Sequence, residues 1–296
     1  MPAAITHYLH AQRVLEQLQQ TQVSDERNLD AFLWGAQGPD FLYCHRYLPW
    51  QRGESLKDYA GKLHLENPSK TLALMREYYL RQPNKAMALS YIDGFLCHYS
   101  LDRICHPFIQ SGAKALLEQE PMQDEEILHN QIESALDVIL LRYERAALPT
   151  EFNLKRTVPK NKNVQLHIAD LYAFLLHGLF GVKDAGVPLY QATNDCRAVF
   201  GLLNDRTTLK QAWIERRERK GKRTVSCHFR GISEGGGCDY ANILHNAWSW
   251  PADSETVRME SFLELYEQSV EDSLHLIGGF LETDDLEKLT DNIFFI

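Results

Sequence analysis

Apolar residues recur at three- and four-residue spacing along nearly the whole chain, and runs that alternate apolar with polar are almost absent. That period places apolar side chains on one face of a helix, and it predicts an all-α protein. Helices are predicted over 3–20, 54–65, 68–81, 84–105, 111–119, 124–147, 163–181, 188–220 and 254–281. The stretch 227–253 is Gly-rich and aperiodic, which predicts a long loop. Two prolines and scattered charges in 148–163 predict a boundary there, between a unit at 1–148 and a helical C-terminal region at 149–296. Pro107 predicts that the helix begun near residue 84 ends at His106, because proline disfavours helical geometry in the residue before it.

Two of these helices carry residues that their apolar faces do not call for. In "YIDGFLCHYSLDRICHPFI", residues 91–109, His98, Asp102 and His106 recur every fourth residue of an otherwise apolar run. Steps of four drift by only about 40°, so the three lie along one face about 6 Å apart. The next helix repeats the spacing with His129, Glu133 and Asp137 beside Ile132, Leu136 and Leu140. One such triplet reads first as packed, hydrogen-bonded core, with a metal site as the alternative. Two antiparallel helices with inward imidazoles and carboxylates are how bundles build multinuclear metal sites. Asp137 is expected to accept a hydrogen bond from a ligand histidine rather than to bind metal. His7 (with His10 nearby), Asp40 in "GAQGPDFLY" and His64 in "AGKLHLE" add donors from three further segments. Nitrogen and oxygen donors without thiolates favour zinc or a similar divalent ion over iron–sulfur chemistry.

Composition narrows the setting. At 296 residues and 44% hydrophobic content the chain can bury one large core or two medium ones. No uninterrupted apolar run reaches the length of a membrane span, and the first residues lack the features of a secretory signal, which predicts a soluble cytoplasmic protein without a transmembrane segment. Six cysteines without a C-x-x-C pair suit reduced, packed thiols. A net charge of −9 argues against general nucleic-acid affinity. The basic run from Arg216 to Arg223 reads as a solvated helix end. The "GGG" at 235–237 lacks the Lys-Ser/Thr of a phosphate loop and reads as a turn. Tyr47, Leu48, Pro49 and Trp50 read first as core and loop residues, with the wall of a substrate cleft as the alternative.

In this order, "THYLHA", "FLWGAQGPDFLY", "GKLH", "GFLCHYSLDRICHP" and "HNQIE" resemble the zinc-dependent phospholipase C family, related in fold to the fungal single-strand-specific nucleases; the resemblance covers about residues 1–145. It implies a phospholipase C- or nuclease-like helical bundle, here with a helical C-terminal extension, holding two or three zinc ions. Asp40, His64, His98 and Asp102 match ligands of a first ion, with Asp102 shared between ions. His106, His129 and Glu133 match the second set. His7, Asp102 and the amine and carbonyl of the N-terminal residue match a third, which would be Pro2 once Met1 is removed. Asp40 is the expected catalytic residue, orienting or deprotonating the attacking water, with a plain ligand or helix cap as the alternative. The activity so implied is hydrolysis of phosphate esters, phospholipids among them. A soluble phosphodiester or nucleotide substrate stays open, as does a non-enzymatic, metal-stabilised binding protein.

Overall fold

The structure, a computed structural model, describes residues 3–21, 27–218, 223–235, 237–251 and 253–295. Among them, regular structure is helical apart from one two-stranded hairpin. The helices are α1 (Ala4–Thr21), α2 (Leu29–Gly35), α3 (Lys57–His64), α4 (Pro68–Arg81), α5 (Lys85–Gln119), α6 (Glu125–Arg145), α7 (Lys162–Phe180), α8 (Gly186–Leu203), α9 (Leu209–Arg217), α10 (Phe262–Phe280) and α11 (Leu286–Thr290). Strands β1 (Trp248–Trp250) and β2 (Asp253–Arg258) pair antiparallel with Trp248 opposite Arg258, whose guanidinium lies over both tryptophan rings. No helix among the described residues is long and apolar enough to cross a membrane.

The 35-residue α5, about 52 Å long at 1.5 Å per residue, is the axis of the fold. Helices α1, α2, α6 and α10 pack around it. From Tyr91 to Arg103 every residue is buried, so this stretch is core on all sides. The tightest crossing is with α2. A Cβ on Gly94 would lie 2.0 Å from the Phe32 carbonyl oxygen, and one on Gly35 2.1 Å from that of Tyr91. This close approach sets where the chain leaving α2 passes over α5. Asparagine side chains start several helices by accepting a backbone N–H: Asn28 for α2, Asn67 for α4, Asn84 for α5 and Asn161 for α7. Ser261 and Glu264 form a capping box on α10.

Several elements differ from expectation. The helix does not stop at Pro107. It runs through to Gln119 and joins the two segments predicted apart, because the surrounding helices hold Pro107 in the core against the local preference of His106. The stretch predicted as 188–220 divides at 204–208, where Thr208 takes a left-handed φ of 60°. The segment from 254 begins as β2, not as helix, and β1 lies inside the predicted loop. Helix α2, the 3₁₀ turn Gly38–Cys44 and α11 are too short to show a period. In the basic run, Arg216 and Arg217 close α9, and Arg223 pairs with Glu120 at 2.7 Å; residues 219–222 lie outside the described residues.

The segment 148–163 lies against α2 and α8: Leu154 and Val158 are buried, and the Trp34 indole donates to the Pro159 carbonyl at 2.9 Å. Helix α10 lies along α5, joined by the Arg103–Asp272 ion pair and by the Ser100 hydroxyl donating to the Ser269 carbonyl at 2.8 Å.

Candidate metal centre

Asp102 sits in the middle of α5, buried, with a different set of imidazoles facing each of its oxygens. Its Oδ2 lies 3.1 Å from His98 Nε2 and 3.7 Å from His64 Nε2. Its Oδ1 lies 3.3 Å from His7 Nε2 and 3.9 Å from His106 Nε2. A carboxylate facing two ways in this manner has the geometry of a bridging ligand.

Each neighbour is delivered by a different element. His98 and His106 lie one turn before and one turn after Asp102. His7 comes from the first turns of α1 and stacks on the His98 ring at 4.5 Å. His64 occupies the last position of α3, with Nδ1 2.7 Å from the Ala60 carbonyl, so that Nε2 points inward at Asp40 Oδ1, 3.2 Å away. Asp40 stands in the 3₁₀ turn that the α2–α5 crossing brings over His98. That turn needs Gly38: its φ is +52°, and a Cβ there would lie 2.4 Å from His98 Nε2.

On α6, Glu133 Oε1 lies 3.2 Å from His129 Nε2 and 3.7 Å from His106 Nε2. Donor atoms from three groups come within 4.8 Å of one another: His7, Asp40 and His98; His64, His98 and Asp102; His106, His129 and Glu133. All eight residues singled out as donors thus come together where α1, α3, α5, α6 and the 3₁₀ turn converge.

The donor set fits cations. His98 Nε2 and Asp102 Oδ2 are buried and 3.1 Å apart, yet neither has a hydrogen-bond partner. Two lone pairs left unpaired in a core are costly unless a positive charge joins them. Electrostatics agree. Burial alone would raise the Asp102 and Glu133 carboxyls, but histidines on every side hold both well below the ordinary range. Burial would lower His106 too, yet Asp102 and Glu133 outweigh it and push its pKa up to about 9. His98 goes the other way, to about 4, because burial dominates. Without metal the cluster therefore retains protons on some imidazoles, which divalent ions would displace.

Asp137 is the exception to the second ladder. Its spacing predicts support for a ligand histidine. Instead it accepts from the Thr6 backbone N–H at 2.7 Å, from the Thr6 hydroxyl at 2.8 Å, and from Arg230 Nε at 2.8 Å. It thereby pins the start of α1 beside His7. Sequence reasoning missed this anchor, and it missed Phe295, whose carbonyl oxygen lies 3.1 Å from His106 Nδ1. Neither carries a local signal: Arg230 lies in an aperiodic loop and Phe295 in a short apolar stretch. Tyr47 and Trp50 are exposed rather than core, at 44% and 70%. Of the third set, His7 and Asp102 lie 3.3 Å apart, and the N-terminal amine and carbonyl, of Met1 or Pro2, lie outside the described residues.

The family model described as zinc dependent phospholipase C matches residues 6–180, more than half of the chain. No curated protein and no solved structure matches.

Proposed function

The chain belongs to the zinc-dependent phospholipase C family, and from that premise we propose that it hydrolyses phosphodiesters of phospholipid head groups with a multinuclear zinc centre. The observation that supports this most is Asp102, a buried carboxylate whose two oxygens face separate groups of imidazoles. His64, His98, Asp40 and Asp102 would hold one ion, His106, His129 and Glu133 another. His7, 3.3 Å from Asp102 Oδ1, would serve a third. Bound zinc supplies positive charge for a phosphate ester and makes a water acidic enough to ionise near neutral pH.

The chain's own residues supply the rest. The Ala60 carbonyl holds His64 with Nε2 turned inward. Asp40, whose Oδ1 lies 3.2 Å from His64 Nε2, orients the attacking water and takes its proton. Tyr43, exposed and stacked on the His64 ring at 6.2 Å, offers a phenol beside that ligand. Leu65, next to His64, and Ile293 and Phe294, just before the Phe295 that contacts His106, are also exposed, which suits a substrate with an apolar part. Six cysteines forming no disulfide fit a reducing compartment such as the cytoplasm.

Elemental analysis of the purified protein, with side-by-side assays on short-chain phosphatidylcholine and a chromogenic phosphodiester, tests the reading. Two or three zinc ions per chain and hydrolysis of the phospholipid are expected. Turnover of the chromogenic ester alone points to a soluble substrate. Less than one ion after reconstitution, or no phosphate ester hydrolysed by loaded protein, overturns the reading.

A further inference from the structure

A metal-binding histidine is oriented by what its other ring nitrogen donates to, because that bond sets the tautomer and the ring plane. His64 is held within its own helix by Ala60. For His106 the acceptor comes from 189 positions further along the chain, the Phe295 carbonyl at 3.1 Å. We propose that residues 290–295 form an orienting strap for the metal centre, with Phe295 as a positioning residue. Its carbonyl fixes His106 with Nε2 turned toward Glu133, and its ring walls in His64 and His98. The proposal rests on the metal-centre reading above.

Three observations carry it. First, the backbone is bent for the purpose. Asp291 and Asn292 have φ of 49° and 48°, two consecutive left-handed residues that persist only where their surroundings over-determine them. They reverse the chain after α11. Second, the strap is latched to the helix that bears the ligands. The Tyr99 hydroxyl donates to the Ile293 carbonyl at 2.6 Å, and Arg103 Nη1 to that of Thr290 at 2.9 Å. Asp272 of α10 accepts from Arg103 Nε at 2.9 Å and holds that guanidinium in place. Tyr99, Arg103 and His106 follow one another at four and three residues, so latch and ligand share a stripe of α5.

Third, burial is selective. Phe295 is 1% exposed, whereas Ile293 and Phe294 are each 44% exposed. An apolar plug would bury Phe294 as well. The Phe295 ring instead meets Tyr99, His64 and His98 at centroid distances of 4.8, 5.3 and 5.9 Å. The strap enters the centre with one ring and one carbonyl.

The test uses the zinc-loaded full chain labelled with ¹⁵N. Nuclear magnetic resonance should show His106 protonated at Nδ1, shielded from solvent exchange and close in space to Phe295. Asn292→Pro cannot take the positive φ and should release the strap. It should lose that proton signal, bind the His106 ion about 10–100-fold more weakly and alter the visible spectrum of cobalt-loaded protein. Phe295→Ala keeps the carbonyl and should keep the His106 signal while melting earlier. A zinc-loaded wild type in which His106 Nδ1 is unprotonated or far from Phe295 overturns the strap, whether or not Asn292→Pro folds. So does Asn292→Pro with unchanged affinity and cobalt spectrum. A wild type that takes up no ion at His106 instead sinks the metal reading, and the strap with it.

Discussion

Replacing Gly38 by alanine should unseat the metal centre from a distance that looks too small to matter. The added methyl would lie 2.2 Å from His98 Cδ2 and 2.4 Å from Nε2, well inside contact, and the backbone there has a φ of +52°. A side chain in left-handed geometry costs about 1–2 kcal/mol, and overpacking a core about 1–3 kcal/mol. Together that is roughly 2–5 kcal/mol. At roughly 2–4 °C per kcal/mol for a chain somewhat smaller than this one, the melting temperature should fall by about 4–20 °C. Relief can come only by moving the 3₁₀ turn, which carries Asp40, or by rotating His98. Either displaces a proposed ligand, so zinc affinity should fall along with stability. Circular dichroism melts with and without zinc, and zinc titration against a chromogenic chelator, separate the two effects. Gly178→Ala is the control: its methyl would meet Leu74 Cδ1 at 3.0 Å, where α7 packs on α4 and away from both the cluster and the strap, and should leave zinc affinity unchanged. A Gly38→Ala protein with wild-type zinc affinity and an unshifted melting temperature would refute the reasoning.

Asp102→Asn should strip ions from both sides of the cluster, since each oxygen serves a different set of imidazoles; an unchanged ion count by elemental analysis would contradict the bridging role. Asp40→Asn should keep most of the metal and the helical signal yet lower phosphodiester hydrolysis by about 10²–10⁴-fold, as expected for a lost general base, and full activity would remove Asp40 from the water-orienting role. Metal-free protein should be most stable near neutral pH. His98, lowered to about 4, favours folding more as pH rises to its ordinary value, whereas His106, raised to about 9, contributes stability present at lower pH and lost as pH climbs through 9. Zinc bound at His106 would displace its proton, so the loaded protein should lack the alkaline decline; identical profiles with and without zinc would count against His106 as a ligand.

The ladders were legible because four-residue spacing on a helix is a statement about direction. Given α5 and α6, His98, Asp102, His106, His129 and Glu133 had to share the faces they share. Pro107 shows where such reading fails. Local preference says the helix stops there, but α5 is enclosed by four other helices, and packing over its length outweighs one lost hydrogen bond and a disfavoured ψ. The consequence for the site is direct. A helix that ended at His106 would let that imidazole swing toward its own ion, whereas a continuous helix leaves it on the Asp102 stripe and dependent on an outside group for its orientation.

That dependence explains which part of the site the sequence could not show. Residues that hold a metal advertise themselves, since imidazoles and carboxylates are rarely placed in a core without cause. The groups that orient them are mostly backbone carbonyls, which every residue possesses. Ala60 could have been guessed, four residues before His64 on the same helix. Phe295 could not, because its carbonyl reaches His106 only after α10 has docked on α5, Arg103 has caught Thr290 and the chain has reversed at Asp291 and Asn292. Thr6 and Arg230 follow the same logic. They meet at Asp137, whose place in the ladder suggested a link to a ligand histidine, and they fix the position of His7 by fixing the helix that carries it. The donors of this centre are thus written in local spacing, while the rigidity that would make them a site is written in contacts between segments far apart along the chain.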